Sequence, residues 1–144
     1  MCKIYKAKPL FDWAYEEEFS IQDGFQWGPD SQRIAYWQLD TSAAQDFYII
    51  NNTDTLYPTI TAIPYPKVGE ENSAARIGVV SIANSETRWI ELPGIPKDMY
   101  VPRMSWVQGQ NQVLIQQMNR MHRRAIRALK SPVESGRKLI QRFR

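Results

Sequence analysis

The residues with the clearest chemical potential stand in one short run. "DWAYEEEF" (residues 12–19) sets Glu16, Glu17 and Glu18 between Trp13 and Tyr15 on one side and Phe19 on the other. Three adjacent carboxylates repel one another, which raises the cost of keeping all of them ionised. A cation held between two of them relieves that cost. An alkylammonium suits the role, because its three donors can be shared between two carboxylates by charge-assisted hydrogen bonds. A divalent metal is a second option, but it needs further oxygen ligands that the neighbouring sequence does not offer. A plain solvated acidic face is the third. Asp12 is placed to cap a short helix whose first turn is Trp13–Tyr15, and rings anchored beneath it would fix the glutamates in place.

Other chemistry is sparse. The sequence has no G-x-S-x-G elbow and no glycine-rich phosphate loop. His122 is the only histidine and Cys2 the only cysteine, so neither a triad nor a metal-binding set has its usual spacing. Neither a catalytic residue, a metal nor a cofactor is expected within these residues. "NNT" at 51–53 matches a glycosylation sequon at Asn51, a weak signal.

The elements that must position the glutamates read as strands. The 144 residues are 43% hydrophobic and 12% aromatic, which suits pleated, half-buried surfaces in about one domain. "FQWGPDSQRIAYWQLD" (25–40) is a strand, a turn and a longer strand. "DFYIINN" (46–52) and "PTITAIPY" (58–65) are extended. "RIGVVSI" (76–82) and "TRWIEL" (87–92) flank "ANSE" as a hairpin, and "MSWVQGQNQVLIQQM" (104–118) repeats strand, turn, strand.

An internal repeat supports this. Placing Trp27 on Trp106 puts Ile34, Ala35 and Tyr36 on Val113, Leu114 and Ile115. Such Trp-turn-strand units mark β-propeller blades, four-stranded sheets of about 40–50 residues each. The 79-residue offset holds either two blades or one blade with an insertion. An ordinary β-sandwich is the other all-β architecture with these signals. Residues 12–120 have room for two to three blades, fewer than the four to eight or so that close a propeller.

Charge divides the chain. Residues 121–144 hold eight Lys/Arg against one acid, Glu134, whereas residues 1–120 carry more acids than bases. The tail lacks strand alternation and reads as helical or disordered, with Ala125, Ile126 and Leu129 at helical spacing. A basic tail of this kind can bind nucleic acid, a membrane or an acidic partner, although a solvated end explains it as well. No run reaches the ~18 apolar residues of a membrane helix, and the first residues do not form a signal peptide.

The motifs carry a resemblance. "DWAYEEEF", "WGPDSQRIAYWQLD", "IPYPK", "RIGVV" and "PRMSWVQGQNQVLIQQMNR" resemble, in order, the propeller domain of the dipeptidyl peptidase IV family. The similarity covers about residues 11–120. It implies an all-β partial propeller with a short acidic helix. It also implies that the parent proteins are serine peptidases releasing Xaa-Pro or Xaa-Ala dipeptides, with an eight-bladed propeller beside an α/β-hydrolase domain. The family is often dimeric, and periplasmic, secreted or membrane-anchored. By position, Glu17 and Glu18 would grip the substrate's N-terminal ammonium, while Glu16 would be structural. Gly28 stands where the family usually has Ser, and Ser31 where it usually has Gly. The expected organisation is an N-terminal segment of uncertain origin (1–10), a partial propeller (11–120) and a basic tail (121–144) that suggests a shifted reading frame. The hydrolase domain and the other blades are missing from these residues, so the chain alone is expected to be inactive.

Overall fold

The computed structural model describes residues 11–122 in full, and the backbone strands at 125–130 and 139–143. The expectation for residues 1–10 lies outside the described residues. Among the described residues, ten strands follow a helical turn, Ala14–Glu18, and a 3-10 turn, Pro96–Asp98, precedes the seventh: β1 (Phe25–Trp27), β2 (Arg33–Asp40), β3 (Asp46–Asn51), β4 (Thr59–Pro64), β5 (Ala74–Ser81), β6 (Thr87–Ile90), β7 (Met99–Trp106), β8 (Val113–Asn119), β9 (Ala125–Lys130) and β10 (Leu139–Phe143). All pairings among them are antiparallel.

They form two four-stranded blades and an arm. Blade 1 runs β1-β2-β5-β6 and blade 2 runs β7-β8-β9-β10. The arm is the hairpin β3-β4, a separate two-stranded sheet inserted between the middle strands of blade 1. The 79-residue repeat is therefore one blade with an insertion. The turns agree: Gly28 N–H donates to Arg33 O at 2.7 Å, and Val107 N–H, 79 residues on, donates to Gln112 O at 2.9 Å. In the first turn Asp30 Oδ1 accepts from Gln32 N–H at 2.9 Å, and Ser31 takes φ of 54°, the left-handed conformation that glycine adopts most easily.

Alternation in the strands sets the core. Ala35 of β2 and Ile77 and Val79 of β5 are buried on the side that meets Met104, Val113 and Ile115 of blade 2. Two indoles bridge the blades. Trp106 Nε1 donates to Gln26 O at 3.1 Å, and Trp37 Nε1 donates to Val101 O at 2.9 Å.

The tail corrects the sequence reading. Ala125–Lys130 and Leu139–Phe143 are strands, neither helix nor coil, and they complete blade 2. Without β9, β8 would present an open row of backbone N–H and C=O groups. Pairing satisfies those groups, and this non-local demand outweighs a short apolar stripe with an ambiguous period. Among the described residues no helix is long and apolar enough to cross a membrane.

Candidate functional site

The glutamates sit on a helical turn that is pinned from below. Asp12 is fully buried. Its carbonyl accepts from Tyr15 and Glu16 N–H, both at 3.1 Å, and its Oδ1 also accepts from Tyr15 N–H at 3.1 Å. The carboxylate thus takes up donors that a helix start leaves free. Burial pushes the Asp12 pKa up from the ordinary carboxylate range. The nearby Ser73 hydroxyl and the N–H groups of Tyr15 and Ala14 pull it partly back. Among the described residues Asp12 Oδ2 and Ser73 Oγ, both buried, have no partner within hydrogen-bond geometry. The turn closes at Ser20, with φ of 53°, where Ile21 N–H reaches back to Tyr15 O at 3.0 Å.

Rings hold this turn against blade 2. Tyr15 is wholly buried, with Phe11, Phe19 and Tyr100 around it at centroid distances of 6.0, 5.6 and 5.9 Å. Its hydroxyl accepts from Val101 N–H at 3.0 Å. That bond falls at a break in the β7-β8 register between Tyr100 and Arg103, where Pro102 has no N–H to offer. Trp37 takes the Val101 carbonyl, so both polar groups of the bulged residue are satisfied by side chains. The Arg103 guanidinium donates to Phe19 O and to Pro102 O, tying the end of the turn to the same bulge. Trp13 packs on Tyr65 at 4.9 Å, at the root of the arm.

Glu16, Glu17 and Glu18 all face solvent. Among the described residues no ion pair engages them. The described residues form no cleft around them: the rings pack beneath the turn and no described element covers it. Glu18 lies within electrostatic reach of Tyr100. Burial raises the Tyr100 pKa, Arg120 opposes the rise, and Asp12 and Glu18 add to it. The sequence reading missed Arg103, Trp37 and Tyr100. The only signal for Arg103 was its place after Pro102, where a bulge leaves carbonyls to be capped. His122 packs on the Phe19 and Tyr100 rings at 6.4 and 5.9 Å and serves no triad among the described residues.

Two consecutive four-stranded antiparallel sheets, packed face to face and built on one repeated unit, define a β-propeller fragment. The chain belongs to the family described as the dipeptidyl peptidase IV (DPP IV) N-terminal region, whose model matches residues 6–139. That match reaches past both boundaries expected from sequence, at 10 and at 120, and takes in β9. The chain is 35% identical over 109 residues to dipeptidyl peptidase 4 of Bos taurus, covering 68% of this chain and 14% of that protein. It is 32% identical over 110 residues to inactive dipeptidyl peptidase 10 of Rattus norvegicus, covering 73% and 14%. The crystal structure of Porphyromonas gingivalis dipeptidyl peptidase 4 superposes with a TM-score of 0.76 at 28% identity, covering 85% of this chain and 17% of that one. The chain thus spans about a seventh of the length of these relatives.

Proposed function

We propose that this segment serves a serine-type dipeptidyl peptidase as part of its propeller, and that Glu17 and Glu18 bind the free ammonium of a peptide substrate. The observation that carries the reading is the pinned turn. Tyr15, Phe19 and Arg103 immobilise the backbone, yet the carboxylates after Tyr15 remain free to receive a ligand. Holding the substrate's first residue by its amine fixes where the chain reaches the cutting site, which suits removal of dipeptides. Charge-assisted bonds to ammonium hold best where water is excluded. The full enzyme would supply that cover. Glu16 contributes to the turn and makes no contact with substrate.

The test is a graft. Residues 12–19 replace the corresponding stretch of the Porphyromonas gingivalis enzyme, and cleavage of Xaa-Pro substrates is measured. Glu17→Ala or Glu18→Ala should lower kcat/KM by about 10- to 100-fold, the cost of a lost hydrogen bond to a charged group. Glu16→Ala should leave it nearly unchanged. Equal kinetics in all three variants would remove the pair from the substrate site.

A non-catalytic binding role is the second reading. The rat relative with "inactive" in its name shows that family membership does not by itself imply turnover.

A further inference from the structure

The pinned turn is wider than an α-helix, and its width decides which side chains stand together. Phe19 N–H donates to Ala14 O at 3.2 Å, a bond that spans five residues instead of four. Trp13, just before the turn, already has helical backbone angles, φ −51° and ψ −39°. A turn of this pitch sets residues four and five apart on one side. Glu17 and Glu18 therefore stand over Trp13, whereas Tyr15 points the other way into the core.

Trp13 opens a row of rings. Its indole packs on Tyr65 at 4.9 Å, and Tyr65 packs on Phe47 at 5.7 Å. Trp13 and Tyr65 are half-buried, and Phe47 is exposed. Tyr65 follows the last residue of β4, and its N–H donates to Gln45 O, just before β3, at 3.0 Å. That bond closes the root of the arm beside the turn. At the far end Lys67 Nζ lies 5.3 Å from the centre of the Phe47 ring. A cation already takes that end, so the row suits an uncharged side chain better than a basic one.

An amino acid carries its ammonium and its side chain on the same carbon. We propose, resting on the amine reading above, that the row Trp13–Tyr65–Phe47 seats the side chain of the substrate's first residue and favours a large apolar or aromatic one. With the ammonium between Glu17 and Glu18, that side chain starts about one helical turn from the indole, ~5–6 Å between neighbouring positions. The row and the carboxylates share one turn, so the grip on the amine aims the side chain at the rings.

A chimera tests this. Residues 11–122 replace the corresponding stretch of the Porphyromonas gingivalis enzyme, and kcat/KM is measured for Phe-Pro and Gly-Pro anilides. Phe-Pro should be preferred by about 2- to 10-fold, the worth of ring-on-ring contact. Trp13→Ala and Phe47→Ala should each bring that ratio toward one, and Trp13→Phe should keep most of it. Phe47→Ala, on an exposed ring, decides the matter if Trp13→Ala does not fold. Tyr57→Ala, elsewhere on the exposed arm, should leave the ratio as it was. Glu17→Ala should slow both substrates, which separates the two readings. A ratio that Trp13→Ala and Phe47→Ala do not move, while Glu17→Ala slows both substrates, would overturn the role of the row and leave the amine site standing. Glu17→Ala that slows neither substrate would remove the amine site and the row's role with it.

Discussion

Asp12 carries an acid-range signature at the scale of the single residue. Its folded-state pKa is raised chiefly by burial. Between the ordinary carboxylate value and the raised one, the folded chain keeps a proton that the unfolded chain has lost. The native state then binds more protons, so stability falls as pH rises through that window. The contribution is fully present below the unfolded-state pKa and gone above the folded-state one. Asp12→Asn keeps an oxygen for the Tyr15 N–H and removes the titration. In urea unfolding across that range, the Asn variant should gain on the wild type as pH rises. Parallel curves would show that Asp12 ionises in the folded chain as it does in the unfolded one. The reading of Asp12 as a cap was available from its position before a ring-rich turn. Its depth was not, because its neighbour Ser73, itself buried, comes from the segment that leads into β5, about sixty residues later.

Between elements, the decisive joint is the bulge in β7. A helical turn, β2 and β7 meet there through Tyr15, Trp37 and Arg103. Tyr15→Phe leaves the ring packing intact and orphans the buried N–H of Val101. Such a group costs about 1–3 kcal/mol to leave unpaired. The urea midpoint should fall accordingly, and an unchanged midpoint would mean that water reaches Val101. Strand positions were legible in the sequence because alternation and turn chemistry are local. "DFYIINN" and "RIGVVSI" are strands close to where they were read. The tail was misread because Ala125, Ile126 and Leu129 fit a helical stripe as well as a strand. Only the unpaired edge of β8 breaks that tie.

The whole molecule is two blades and an arm, joined through one aromatic core. It carries an exposed glutamate run on a clamped turn and, among the described residues, no nucleophile–base pair. Expressed by itself, the 144-residue chain should release no chromophore from an Xaa-Pro substrate beyond the blank. Turnover that copurifies with the chain and survives loss of Glu17 and Glu18 would place chemistry elsewhere in it. The arm shows a further limit of sequence reading. Phe47, Ile49 and Ile60 look like core residues by type, yet each is exposed on a hairpin that joins neither blade.

Composition, turn residues and the Trp-turn-strand repeat narrowed the fold to a β-propeller or a β-sandwich, the motif resemblance favoured the propeller, and the glutamate run stood out, since each is written in near neighbours along the chain. Tertiary structure alone decided that the repeat is one blade plus an arm, that the basic tail pairs as strands, and that the glutamates stand uncovered on a clamped turn. The reason is physical. Which strand pairs with which, and which carbonyl an indole or guanidinium reaches, depends on backbone groups brought together from distant parts of the chain.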